Sequence, residues 1–325
     1  MRWLLAPICA LAVAAAACGG GQASSPVASP TVQPSPATPS PTPSPPPTPT
    51  PAPTPSPSPS PTPAPAAIDL SSSQPRQGGF LVVRLLHAPG GISDPEVTFT
   101  GQSYTMLPSG DHWYALIGLP TWFQAGGYPI EVDAAGGAIA AGTLTVTEGG
   151  FQFESLEVPP GPADLLLDQD RINQERERVQ QVLSGFTPQR YWSGPWIMPA
   201  QGTPSDAFGL QRSINGGPYS PHTGTDIANA EGTPIYAAAT GVVALAEPLF
   251  LYGNSVIIDH GAGVFSGYNH MQSSVVVPGQ SVAQGELIGY MGQTGLVTGP
   301  HVHWEAAVHG VRVDPILWTQ ASIDP

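Results

Sequence analysis

The chain contains no lysine. Its 9 basic residues are all arginine, set against 23 Asp and Glu, for a formal net charge of -14. An electrostatic footprint for nucleic acid is therefore missing, and so is a polybasic patch for an anionic membrane. Cysteine is nearly as scarce. Cys9 and Cys18 are the two in the chain, so the sequence beyond Cys18 forms no internal disulfide and no closed thiolate metal site. An apolar run of the roughly 20 residues that a membrane-spanning helix needs is also lacking. The nearest approach, Trp3 to Ala17, follows Arg2 and ends in small residues, the pattern of a secretory signal segment.

Proline and glycine are in excess, at 41 and 38 residues, well above ordinary usage. Proline concentrates between Ser24 and Ala67, where stretches such as SPTPSPPPTPTPAPTPSPSPSP hold almost nothing but Pro, Ser, Thr and Ala. Such a segment builds no core and reads as an extended polyproline-like spacer. At about 3.1 Å per residue, its roughly 40 residues reach on the order of 120 Å. Ahead of it, AAAC followed by GG (15–20) resembles a bacterial lipoprotein box, with Ala15 where leucine is usual. That resemblance implies a signal peptide over 1–17 and lipidation of Cys18. Residues 18–67 then form a lipidated N-terminus and linker. The expected location is outside the cytoplasm, in the cell envelope, anchored to a membrane through Cys18 and facing the wall.

Residues 68–150 carry strand-like runs at FLVVRLL (80–86), EVTFT (96–100), WYALIG (113–118), YPIEVD (128–133) and TLTVT (143–147). Turn residues punctuate them about every ten positions, which predicts a small immunoglobulin-like β-sandwich acting as an accessory module. Residues 151–190 form a linking segment. Within it PADLLLDQDRINQERERVQQVL (162–183) predicts a helix, with a loose apolar stripe of Leu165, Leu166, Ile172, Val179 and Leu183 and Gly185 just past its end. Its alternating Glu and Arg read as a solvated face. From 191 to 325 the texture is Gly-rich and strand-rich, predicting a compact antiparallel β domain, so the chain as a whole is expected to be mainly β.

Six of the 8 histidines fall in that last domain: His222, His260, His270, His301, His303 and His309. In TGPHVHWE (298–305), His301 and His303 are two apart, so on a strand they share one face while Val302 points to the core. In HTGTD (222–226), residues four apart on an extended chain also share a face, and His222 and Asp226 can converge on one ion. Gly224 between them leaves that face open. His222, Asp226 and one histidine of the 301/303 pair make three nitrogen and oxygen ligands. Three such ligands with a fourth position for water describe a catalytic zinc site rather than a structural one. The remaining histidine of the pair, and His270 in GYNH, can move the proton of a water activated near neutral pH. These residue types suffice for metal-assisted hydrolysis of a carbonyl compound.

HTGTDIANAEGTPIYAAATGVV, YGNSVIIDHGAGVFSGYNHM and GQTGLVTGPHVHWE together resemble the lysostaphin/LytM-type zinc metallopeptidases, which cleave peptide bonds in bacterial peptidoglycan. The likeness runs from about Trp196 to Pro315. It implies one Zn2+ per chain held by His222, Asp226 and His303, with His301 and His270 as the catalytic pair, in a groove of a mostly antiparallel β fold. The departures are apolar: Val302 and Met271 stand where leucine is usual, and Trp304 where phenylalanine is usual. The implied function is a zinc-dependent endopeptidase acting on stem peptides or cross-links of peptidoglycan during wall remodelling. The alternative is the same groove used as a non-hydrolytic wall-binding or regulatory module, but all five positions are present. Among the others, His260 and His309 are expected at hairpin ends, Trp304 and Tyr268 in packing, Tyr219 near the groove, and Glu305 on the face of His303 as a partner for it.

Overall fold

The computed structural model describes residues 64–134, 137–158, 162–320 and 323. The expected signal segment, Cys18 and the proline-rich spacer as far as residue 63 lie outside the described residues. The fold is mainly β and largely antiparallel.

Two four-stranded sheets come first. One runs, in spatial order, Ala67–Leu70, Phe80–Leu86, His112–Gly118 and Leu107–Ser109. The other runs Gln102–Thr105, Glu96–Phe99, Gly126–Ala134 and Gly137–Val146. Every expected strand run falls on one of these. The strands that the sequence pattern missed are three or four residues long, and Gln102–Thr105 is mostly polar and exposed. Leu81, Val83, Leu85 and Ile117 of the first sheet meet Val97, Phe99, Ile130 and Val132 of the second in one core.

The first sheet is apolar on its other face as well. Val82, Tyr114 and Leu116 alternate with the inward residues and join a second core, shared with Val308, Val313 and Trp318 of the C-terminal part. Phe80 stacks on Trp318 with ring centroids 4.4 Å apart. A strand buried on both sides reads as a continuous apolar run, which explains FLVVRLL. Gly118 marks the closest approach: a Cβ there would lie 2.9 Å from the Val311 side chain.

The C-terminal sheet orders its strands Thr203–Asp206, Thr225–Ala228, His301–Val308, Val264–Ser274, Asn254–Gly261, Gly241–Pro248 and Ser281–Val282. The linking segment is hydrogen-bonded into this part, since Phe153–Leu156 pairs in parallel with Gln211–Ile214.

The linking helix is shorter than its sequence pattern. Pro162–Leu167 forms a 3-10 turn, and the α-helix runs Gln169–Leu183. Asp168 separates them because its carboxylate caps the helix, accepting from the Arg171 amide. Ile172, Val179 and Leu183 are buried as expected, and so is Glu175. The charged face is therefore not wholly solvated.

Candidate active site

The central strand His301–Val308 is flanked by Thr225–Ala228 and Val264–Ser274. Asp226 lies directly opposite His303, so the two side chains share one face of the sheet. His222 arrives differently from the simple strand expectation. Ser220–Pro221 ends before it and Thr225–Ala228 begins after it, with a bend at Gly224. Mutual backbone bonds fix its position: its amide donates to Leu210 O at 2.8 Å, and its carbonyl accepts from Gly209 N at 2.8 Å. Gly224 leaves room for protein rather than for an ion, because a Cβ there would sit 2.4 Å from Trp304 O and 2.9 Å from the His303 ring.

The result is a tight triad. His222 Nε2 lies 2.9 Å from His303 Nδ1 and 3.1 Å from Asp226 Oδ1, and His303 Nδ1 lies 2.8 Å from that same oxygen. All three residues are buried. The far nitrogen of each ring is committed elsewhere. His222 Nδ1 donates to Ala207 O at 3.0 Å, and His303 Nε2 donates to Glu305 Oε1 at 3.2 Å. The facing nitrogens are thereby left to bind a cation, the usual arrangement behind a histidine metal ligand.

Electrostatics point the same way. Burial opposes a charged Asp226, yet the hydrogen bonds and charges of His222 and His303 hold its carboxyl well below the usual range. Burial would lower His303, but Asp226 and Glu305 outweigh it and push the ring up to about 9. A pocket of this kind stabilises positive charge, and its two nitrogens and one oxygen fit a small divalent metal. Glu305 is itself held by Arg312 Nε at 3.2 Å and Thr223 Oγ1 at 2.5 Å.

His270 and His301 stand beside the triad, their rings 4.9 Å apart, with His270 6.0 Å from His303. His301 Nε2 is 3.8 Å from Asp226 Oδ2, the oxygen turned away from the triad's nitrogens. Each ring is oriented by a backbone carbonyl: His270 Nδ1 donates to Thr294 O and His301 Nδ1 to Gly299 O, both at 2.9 Å. Both therefore present an Nε2 lone pair. Burial, followed by the charges of His303 and His301, lowers His270 to about 3. Its backbone is unusual, with φ at +63° inside a strand whose register to its neighbours shifts nearby. Irregularities of this kind re-aim a side chain.

Residues 220–315 match the model of peptidase family M23. They are an M23 domain. Over 95 residues this chain is 44% identical to the peptidoglycan DD-endopeptidase ShyA of Vibrio cholerae, an alignment covering 29% of this chain and 22% of that one. It is 43% identical over 95 residues to the DD-carboxypeptidase/endopeptidase Mpg of Neisseria meningitidis, again over 29% of this chain and 22% of the relative. The chain thus spans about a fifth of the length of these curated relatives. A crystal structure of a Pseudomonas aeruginosa protein assigned to peptidase M23 extends the likeness beyond the M23 domain. It covers 76% of this chain and 95% of its own, with 29% identity and a TM-score of 0.59.

Around the M23 site, several sequence expectations meet the structure. Trp304 and Tyr268 are fully buried packing residues. His309 sits in the two-residue turn between His301–Val308 and Val311–Val313. His260 ends its strand as expected, but it is fully buried, with Nδ1 donating to Thr240 O and Nε2 2.7 Å from Ser266 Oγ. Tyr219 is half exposed and packs edge-on against Phe153.

Two residues near the site carried no signal in the sequence. Tyr252 stacks over the His303 ring at 6.2 Å, and its carbonyl accepts from the His270 amide at 2.8 Å. Glu175 reaches from the helix to accept from the amides of Phe250, Leu251 and Tyr252. One helical carboxylate thus holds the loop that walls both histidines.

Proposed function

We propose that this chain is an exported zinc-dependent endopeptidase that hydrolyses peptide bonds in peptidoglycan. The observation that carries the reading is the buried His222–Asp226–His303 triad with two further imidazoles, His270 and His301, turned toward it. Support for the substrate comes from M23 relatives named as peptidoglycan DD-endopeptidases. In this reading residues 191–325 are the catalytic domain, 68–150 an accessory β-sandwich, and 151–190 the link between them. The signal segment and Cys18 support export and a lipid anchor in the cell envelope.

His222 Nε2, Asp226 Oδ1 and His303 Nδ1 would hold the zinc. The ion, when bound, supplies Lewis acidity to the scissile carbonyl and to the attacking water. The protein's part is to aim and to carry protons. Glu305, fixed by Arg312 and Thr223, orients the His303 ring. Peptide hydrolysis moves one proton from water to the departing amine and develops negative charge on the carbonyl oxygen. His301 and His270 both offer Nε2 for that transfer. A proton held there also stabilises the developing oxyanion.

The test is digestion of purified peptidoglycan by the full chain, with and without a chelator, beside His301→Ala. Metal-dependent release of peptide fragments, lost in the variant, is the expected result, and mass spectrometry of the fragments reads the bond cut. Intact sacculi in the presence of stoichiometric bound zinc would overturn the reading.

A further inference from the structure

A groove of about 390 Å³ opens where the first two sheets meet the M23 domain. Its volume is that of a small-molecule site. Its lining includes Trp122, Thr100 and Gln102 from the N-terminal sheets and their loops, and His222 and Thr223 from the M23 domain. It therefore reaches His222 at the edge of the triad, while Asp226, His303, His270 and His301 do not line it.

Trp122 is 79% exposed, although the loop that bears it is fixed. The Phe123 amide donates to Pro120 O at 3.0 Å, and its carbonyl accepts from Gln77 Nε2 at 2.6 Å. The Phe123 ring packs against Phe99 and Tyr128 at 5.7 and 5.1 Å. A hydrogen-bonded, packed loop thus holds the indole out to solvent. Beside it Thr100, at φ +51°, forms with Gly101 the two-residue turn between Glu96–Phe99 and Gln102–Thr105, a hairpin turn that requires positive φ at both positions.

The lining chemistry selects among occupants. Among the described residues no carboxylate lines the groove, and its one arginine, Arg312, is spent on Glu305. An anionic stem peptide would call for free cations. An exposed indole with neutral amide and hydroxyl groups around it suits instead an uncharged, N-acetylated sugar ring. Its C–H face stacks on the indole while its polar edge finds hydrogen bonds.

We infer that this groove is a saccharide subsite: Trp122 stacks an N-acetylated sugar of the glycan strand, with Gln102 and Thr100 at its polar edge, while the attached peptide lies at the metal centre. The inference rests on the peptidoglycan reading, and the accessory unit becomes part of the substrate site.

The experiment uses the full chain and two readouts. Binding of the β-1,4-linked tetramer of N-acetylglucosamine is followed by calorimetry for wild type, Trp122→Ala and Gln102→Ala. The expected result is saturable binding by wild type, weakened about ten-fold in Trp122→Ala, the loss of one aromatic stack, and weakened less in Gln102→Ala. In parallel, the ratio of activity on intact sacculi to activity on a sugar-free cross-linked peptide is expected to fall in Trp122→Ala. Absence of tetramer binding by wild type at millimolar concentration, or equal binding by Trp122→Ala, overturns the subsite. A wild type that binds the tetramer but cleaves neither substrate supports the subsite and overturns the peptidase reading.

Discussion

Glu175 accepts from three consecutive amides of the loop that carries Tyr252, so its removal leaves three donors in a partly buried turn. Glu175→Ala is expected to cost about 1–3 kcal/mol in urea unfolding and to lower turnover by loosening the wall behind His270. Glu175→Gln keeps one acceptor oxygen and should lose less of both. The sequence offers no hint of this role, because Glu175 sits in an alternating Glu/Arg run and its partners lie some 75 residues away. The HVH pair was legible because strand geometry maps period two onto a face without further information. A second residue-scale consequence concerns pH. Burial lowers His260 from 6.5 to about 4, so between those values the unfolded chain binds the proton more readily. Its contribution to stability is complete above about pH 6.5 and is lost as pH falls toward 4. The unfolding midpoint should therefore drop across that window, and His260→Gln, which does not titrate there, should flatten the slope relative to wild type.

At the scale of elements, the strand Val264–Ser274 combines a regular half paired to His301–Val308 with an irregular half at His270. The left-handed backbone of His270 separates two effects of mutation. Both His270→Ala and His270→Gly should abolish turnover while leaving the triad's metal binding in place. The glycine variant should nevertheless be the more stable by about 1 kcal/mol, since an L side chain is penalised at that φ. Equal thermal midpoints would show that the strain is not real. The irregularity itself could not be read from YNH, because a register shift is decided by neighbouring strands and not by the strand's own residues. The same holds for Asp168. Its capping geometry ends one helical piece and starts another within a stretch whose apolar spacing looks continuous. Long alternating or fully apolar strands, by contrast, declared themselves.

For the whole molecule, the decisive fact is that the sheet containing Phe80–Leu86 is buried on both faces. Residues 191–325 expressed alone would expose the apolar surface that Val82, Leu116 and Phe80 cover, including Trp318, and would also lose the Glu175 clasp. That fragment is expected to aggregate or to melt well below the full chain in calorimetry, and to be less active for that reason rather than freed from inhibition. A fragment as stable and active as residues 64–325 would refute this. The order of short strands, a helix and a strand-rich C-terminal part was visible in the sequence; their fusion through a common core was not, because an apolar run does not say which neighbour covers which side. The unit that an engineer could graft onto a different targeting sequence is accordingly larger than the 96-residue span that matches the family. A working transplant would carry the first two sheets as part of the M23 domain's own interior. Drift on either side of that seam would have to be answered on the other, so the two halves are expected to be inherited together.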